Sequence, residues 1–264
     1  MYKWSKTVQS IESNNGKLVA AITAVDYIEE GMRIGLGSGS TAALMLAYLS
    51  KQISKKKSIL GVPTSTETAK LAENEGIKLT TLDNVKLLDL TIDGTDECDG
   101  DYNLIKGGGA ALLHEKIVAE ASNKVIIIAD DSKFVENLGS FPLPVEVLKF
   151  GWLSSQAQIN SLLLKHGYKD FQIKRRMNGS SGLETDESNY ILDLYLNVIK
   201  DPVGLSQDLN LIPGVVENGL FVDICDILIL GKANGEVKVY DRLTNKITNR
   251  TFTMDQLKKI QMIE

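Results

Sequence analysis

The sequence predicts a doubly wound, mostly parallel α/β sheet with a smaller α+β domain inserted near its C-terminal third. Three observations predict it. Short apolar strands alternate with amphipathic helices over the first half of the chain, the pattern of a parallel sheet with helical crossovers. Several of those strands, "KVIIIAD" at 124–130 above all, are almost unbroken apolar runs, as strands covered on both faces are. At residue 141 the pattern changes. "FPLPVEV" holds two of the five prolines, and the strands after it alternate apolar with polar residues, as an antiparallel sheet with one wet face does.

Taken in order, residues 17–29 carry Val19, Ile22, Val25 and Ile28 at helical spacing. "MRIGLG" (32–37) is a short strand broken by glycine, and "STAALMLAYLSKQI" (40–53) is a helix capped by Ser40 or Thr41. "SILGVP" is a strand, "STETAKLAENEG" a helix closed by Gly76, "IKLTTL" a further strand, and "LLDLTID" (87–93) a buried one. A helix over 110–122 precedes "KVIIIAD". In the insert, "QAQINSLLLKHGY" is a helix, "FQIKRRM" and "NYILDLYLN" are strands, and "PVGLSQDLNLIPG" is a short helix. "DILILG" (226–231) is a buried strand that rejoins the first sheet, and "EVKVYDR" adds an edge strand. Residues 1–140 and 217–264 thus make a Rossmann-like catalytic domain. Residues 141–216 make the small domain, which serves oligomerisation or acts as a lid.

Composition narrows the function. The 264 residues are 43% hydrophobic and 24% charged, enough apolar material for a sizeable core. A net charge of -5 leaves no basic footprint for nucleic acid. No apolar run approaches the roughly 20 residues that span a bilayer, and the N-terminus lacks the apolar core of a signal peptide. Two cysteines, Cys98 and Cys225, are too few for a disulfide framework or a zinc site. A cytoplasmic protein is expected, with no membrane and no nucleic acid among its partners. The two histidines, His114 and His166, argue against a His-based metal centre, and neither is assigned a role.

Four stretches carry chemistry. "GLGSGSTAA" (35–43) joins a strand to a helix. Its glycines admit a close ligand, its free N–H groups and helix dipole favour an anion, and Ser38, Ser40 and Thr41 add hydroxyls. Ser40 stands where a dinucleotide fingerprint needs its last glycine, and no Gly-Lys-Ser/Thr follows, so neither that motif nor a Walker loop is present. The plain alternative is a tight turn. "PTSTETAK" (63–70) is a second hydroxyl-rich helix start, explained by capping. In "DLTIDGTDECDGDYN", Asp93 and Asp96 stand at the carboxyl end of a strand, where open α/β sheets bind ligands. An EF-hand register fails because Cys98 falls on a required position from either start. Glu97, Asp99 and Asp101 are expected to be a solvated acidic turn. Lys106 with Gly107, Gly108 and Gly109 offers a cation and bare amides, a second site for negative oxygen. Glu115 has only apolar residues at i±3 and i±4 (Leu112, Val118, Ala111 and Ala119), so partial desolvation raises its pKa toward that of a general base. Lys116 and Glu120 read as an ordinary helix pair. The runs at 55–57 and 174–176 read as solvated faces.

"GLGSGSTAA", "TIDGTDE", "KGGGAALLHEKI", "ADDSK" and "FPLPVEV" occur in this order with consistent gaps, and the chain resembles type A ribose-5-phosphate isomerase over nearly its whole length. The resemblance implies an aldose–ketose isomerase that interconverts D-ribose 5-phosphate and D-ribulose 5-phosphate with no metal and no cofactor. It makes Glu115 the catalytic base, with Asp93, Asp96 and Lys106 also catalytic. It makes Ser38, Gly39, Ser40, Thr41, Gly94, Thr95, Gly107, Gly108 and Gly109 substrate-binding, together with Lys133 in "ADDSK" and Lys17 near the phosphate. It also implies a homodimer or homotetramer. Ser38 replaces a threonine found in many members, the 174–188 segment is longer than in compact bacterial forms, and the 1–15 extension lies outside the family pattern. Three rivals remain in view: an amino-sugar phosphate deaminase, a CoA transferase, and the sugar-phosphate sensor of a regulator. The "DGTDE" and "KGGG" pair speaks against the first two, and a sensor has no use for Glu115.

Overall fold

A computed structural model describes residues 8–56 and 58–261 of the chain. Helix α1 (Val8–Val25) starts before the predicted residue 17, so the extension is helical from Val8 onward; its residues 1–7 lie outside the described ones. Strand β1 (Arg33–Leu36), helix α2 (Ser40–Lys56), strand β2 (Leu60–Pro63) and helix α3 (Thr66–Asn74) follow as the alternation requires. The lysine run at 55–57 lies outside the residues whose side chains are described.

"IKLTTL" does not become a strand. Only one bridge forms, from Leu79 to Gly61, because Thr81 instead caps the short helix α4 (Leu82–Val85). Strand β3 (Leu90–Asp93) is buried throughout. Two short strands, β4 (Glu97–Cys98) and β5 (Leu104–Ile105), flank the acidic turn and lead to α5 (Leu112–Glu120) and β6 (Val125–Asp130).

The small domain holds β7 (Leu143–Val147), α6 (Trp152–Lys165), β8 (Gln172–Arg175) and the hairpin β9 (Met177–Asn178) and β10 (Ser181–Gly182). It continues with β11 (Tyr190–Tyr195), α7 (Pro202–Asn210) and β12 (Val215–Asn218). Its sheet has the order β12-β7-β11-β8, antiparallel at every pairing, over its own core of Val145, Ile159, Leu163, Leu192 and Leu205. The chain then returns through β13 (Leu220–Phe221), β14 (Ile227–Gly231), β15 (Glu236–Asp241), β16 (Lys246–Thr251) and α8 (Met254–Gln261).

The large sheet has the order β16-β15-β14-β6-β3-β1-β2. Its pairs from β2 to β14 are parallel, and β15 and β16 join antiparallel. "EVKVYDR" is therefore not the edge. That place belongs to β16, whose exposed "KITNRT" carries no apolar period and is held by its ladder and by the pairing of Arg250 with Asp26. Helices α1 and α2 cover Ile34, Leu36, Ile92, Ile126 and Ile229 on one face, and α5 covers Val125, Ile127 and Leu228 on the other. Among the described residues no helix is long and apolar enough to cross a membrane. The order in which the chain adds strands reverses between β1 and β3, which stay parallel, so their carboxyl ends border the crevice where such sheets bind ligands.

Candidate active site

The loop after β1 and the turn after β3 meet in that crevice. The Ser38 N–H donates to Asp93 Oδ1 at 3.0 Å, and the Gly94 N–H donates to the same oxygen at 2.7 Å. One carboxylate oxygen thus ties the anion-ready loop to the acidic turn. The approach is close enough to require glycine at 37, where a Cβ would lie 2.2 Å from Asp93 Oδ1. Gly37→Ala is expected to displace the carboxylate and lower kcat by about 10²-fold, the effect of an ångström-scale misplacement at a reacting centre; steady-state kinetics checks it, and an unchanged kcat refutes it.

In the loop itself Gly39 and Ser40 are exposed, Thr41 is buried and Ser38 is half-buried. The Ser38 hydroxyl sits in a cluster with Thr64, Ser65 and Thr68, at 2.8 to 2.9 Å from each. Ser65 also caps α3, as expected for this segment. The Lys17 ammonium donates to Ser40 Oγ at 3.0 Å, which brings a cation from α1 to the same loop. These groups supply a positive charge, hydroxyls and free amides at the start of a helix of four turns or more, a suitable seat for phosphate.

Lys106 lies at the centre of the site and is 3% exposed. Its ammonium reaches Asp93 Oδ2 at 3.1 Å, Glu115 Oε1 at 3.1 Å and the Gly94 carbonyl at 2.6 Å, and the Phe221 ring lies 5.4 Å away. The contacts to Glu115 Oε1 and the Gly94 carbonyl are hydrogen bonds, and the contact to Asp93 Oδ2 is an ion pair that leaves this oxygen without a hydrogen bond among the described residues. Lys106 serves the resting site as a charge shared by two carboxylates, while the Gly107 and Gly109 amides have no hydrogen-bond partner among the described residues. Glu115 is carried on the buried face of α5 with Leu112, Val118 and Ala119. Its Oε2 is buried and has no hydrogen-bond partner among the described residues.

The electrostatics follow from this geometry. Burial raises Glu115 to about 8, against the opposing pull of Lys106. Burial also raises Asp93, though Lys106 and two backbone N–H groups favour its charged form. For Lys106, burial disfavours the charge, but Asp93 and Glu115 outweigh it and hold the ammonium above its ordinary value. Two carboxylates thus share one cation. Burial raises both carboxyls, and the two amides on Asp93 Oδ1 favour the charged form of Asp93, a support that Glu115 lacks.

The remaining predicted residues divide. Asp96 Oδ2 accepts the Gly108 N–H at 2.7 Å, which joins the acidic turn to the glycine loop. Gly107 is buried and Gly108 and Gly109 are exposed. Gly107 has φ +99 and a Cβ there would meet Leu112 at 2.8 Å, so the loop needs glycine to enter α5. The Thr95 hydroxyl is committed to the Glu97 and Ile105 carbonyls and offers a ligand little. Lys133 is half-buried in the turn after β6, and its ammonium is held by no other predicted site residue.

Several expectations fail. Glu97 and Asp99 are not solvated. The Glu97 carboxylate accepts the Gly139 and Phe141 N–H groups at 2.7 and 2.6 Å, and Asp99 accepts from Asp101, from the Asn103 backbone and from the Asn103 side chain. Both fix the turn, and only Asp101 is exposed. Lys116 pairs with Glu217 at 2.8 Å instead of Glu120, and donates to the Asn218 and Leu220 carbonyls, tying α5 to β12 and β13. In the 174–176 run only Lys174 is exposed. Arg175 lies over the Tyr190 and Trp152 rings. Arg176 pairs with Asp193 and donates to the Gly107 and Gly108 carbonyls. That last contact reaches the site, and nothing near it in sequence announces it.

Hydroxyls, a cation and free amides at the switch point, with Asp93 and Glu115 each carrying a buried oxygen without a hydrogen bond around one buried ammonium, suit an enzyme that moves protons on a small phosphorylated substrate. The family model for ribose 5-phosphate isomerase A (phosphoriboisomerase A) matches residues 60–235. A ribose-5-phosphate isomerase A from Jannaschia sp. is 53% identical over 229 residues, 86% of this chain and 87% of that protein. The solved structure of a D-ribose-5-phosphate isomerase in complex with phospho-erythronic acid superposes with a TM-score of 0.80 at 38% identity, covering 90% of this chain and all of that one. The ribose 5-phosphate isomerase from Plasmodium falciparum gives 0.78 at 33% identity, over 91% and 99% of the two chains. The chain belongs to the ribose 5-phosphate isomerase A family.

Proposed function

We propose that the protein carries out its family's interconversion of D-ribose 5-phosphate and D-ribulose 5-phosphate with Glu115 as the base. The observation that carries the assignment is the unpartnered, buried Glu115 Oε2 beside Lys106. The phosphate rests on Ser38, Gly39, Ser40 and Thr41 with Lys17 at its side, and Lys133 meets the chain of hydroxyls. Anchoring that remote end aims C1 and C2 at the base. Glu115 takes the C2 proton of the open-chain aldose and returns it at C1. The electrons left behind form an enediolate, whose negative oxygen faces Lys106 and the Gly107–Gly109 amides. Asp93 and Asp96 hold the hydroxyls and relay a proton between O1 and O2, which balances the exchange of carbonyl and hydroxyl. A single carboxylate serves both carbons because they are neighbours.

The decisive assay incubates the purified protein with ribose 5-phosphate and EDTA and measures ribulose 5-phosphate. Conversion supports the assignment and no conversion overturns it. The state of Glu115 also sets a pH dependence. A carboxyl group raised to about 8 is a working base only above that value, so kcat/KM is expected to climb as pH rises through about 8. A limb in the ordinary carboxylate range would contradict the role given to Glu115. The domain division at 141–216 is part of the same proposal and is supported by the core of the antiparallel sheet, most of which comes from this segment, with Ile105, Leu138 and Leu220 joining from outside it. A homodimer or homotetramer formed through this domain is supported by the exposed Phe150, Leu153 and Leu211. A reducing cytoplasm suits the two free thiols of Cys98 and Cys225.

A further inference from the structure

Arg176 belongs to the small domain, yet it acts at the glycine loop of the large one. Its backbone is locked between β11, through an N–H to the Ile191 carbonyl, and Leu183, whose N–H donates to the Arg176 carbonyl. Its Nε donates to Asp193 Oδ2 at 2.9 Å and its Nη2 to Asp193 Oδ1. Asp193 is itself 8% exposed, within β11. This two-point grip fixes the plane of the guanidinium. The remaining nitrogen, Nη1, donates to the Gly107 carbonyl at 2.7 Å and to the Gly108 carbonyl at 3.0 Å. One side chain therefore holds two successive peptides of the loop.

The consequence follows from peptide geometry. In a trans peptide the C=O and the next N–H point in opposite directions. With the Gly107 carbonyl on Arg176, the Gly108 N–H is aimed away from it, and it meets Asp96 Oδ2 at 2.7 Å. With the Gly108 carbonyl on the same nitrogen, the Gly109 N–H is aimed away in turn. That amide has no hydrogen-bond partner among the described residues, and Gly109 is exposed. A cation on the carbonyl side also polarises each peptide and makes its N–H a stronger donor. Glycine has no side chain to hold such a loop in one shape, so the hold has to come from outside it.

We propose that Arg176, gripped by Asp193, is a positioning residue that holds the Gly108 amide on Asp96 and fixes and polarises the free Gly109 amide for the enediolate oxygen. This rests on the assignment of the glycine-loop amides to the enediolate made above. The role asks for arginine: a lysine keeps the charge but cannot hold Asp193 and two carbonyls from one rigid plane.

The test is Arg176→Lys, assayed with ribose 5-phosphate and titrated with phospho-erythronic acid to count folded sites. The expected kcat per titrated site falls by about 10- to 100-fold, less than or equal to the loss of an oxyanion donor, while KM stays within about twofold because the phosphate seat is untouched. Asp193→Asn is expected to lower kcat in the same sense. The double variant is expected to be no worse than Arg176→Lys alone, since the two side chains act as one unit. A normal kcat per site in Arg176→Lys overturns the inference, as does a loss that merely tracks the number of folded sites, or one that appears in KM alone. Glu115→Gln run in parallel separates the two claims. If Glu115→Gln is inactive and Arg176→Lys is normal, the inference fails and the assignment of the base stands. If Glu115→Gln is active, the assignment itself fails.

Discussion

Glu115→Gln is expected to stop turnover, with kcat lowered by about 10⁴-fold, the upper range for loss of a general base, while binding of ribose 5-phosphate is largely retained. The amide keeps the shape and still accepts from Lys106 with its oxygen, and the Ser38–Thr41 seat is untouched. Asp93 Oδ1 already accepts two backbone N–H groups and Asp96 Oδ2 accepts a third, so both other carboxylates are held in place. Near-normal turnover would remove Glu115 from its role. The same variant reports on stability. Glu115 has a folded pKa of about 8, above its ordinary value, so the native state binds its proton more tightly than the unfolded chain does. Stability from this group is present at low pH and is lost as pH rises through about 8. A glutamine side chain does not titrate and has no such loss, so the variant's Tm is expected to exceed the wild type's above pH 8 and to converge with it in acid. Parallel curves would show that burial does not strain this carboxylate.

How far the site was legible depended on whether a residue's environment lies near it in sequence. Asp93 abuts an apolar strand and Glu115 has apolar neighbours a helical turn away, so the burial of both was readable. The glycine-rich loops were readable too, because glycine marks close backbone approach wherever it recurs. Glu97 and Asp99 sit among acids and looked solvated. The partners that hold Glu97 are amides 42 and 44 residues away, and no local pattern points to them. Lys116 has an acid at i+4, but its actual partner is 101 residues on. Arg176 stands in a basic run and reaches carbonyls 68 and 69 residues back. For Glu97, Lys116 and Arg176 the charge is satisfied by a distant partner, supplied by a topology that the apolar core sets, whereas Asp99 is held by groups of Asp101 and Asn103 close by in sequence. The fold itself read well for the buried strands and poorly at the margins. "IKLTTL" has β-formers but ends in a cap for α4, and β16 forms from exposed polar residues that carry no period.

Replacing Lys106 by Met is expected to lower kcat by about 10²-fold or more at neutral pH, on the scale of losing one oxyanion donor, and to push the acid limb of the rate profile upward. Both effects follow from its position. The ammonium is the only cation within ion-pair reach of Asp93 and Glu115 among the described residues, and it opposes the rise that burial imposes on each. Without it, Glu115 moves above about 8 and is protonated when the substrate arrives. Methionine fills much of the same volume beside Phe221, so the loss reports charge more than packing. The two jobs of Lys106 then separate in one experiment. Raising the pH restores the free base and with it the part of the loss due to protonation. The deficit that persists on the high-pH plateau is the enediolate stabilisation, because no pH returns the missing charge. A profile whose limb does not move would mean that Lys106 leaves the base alone. A full recovery at high pH would mean that it leaves the enediolate to the glycine amides. A change confined to KM would assign it to substrate binding in ground state and transition state alike.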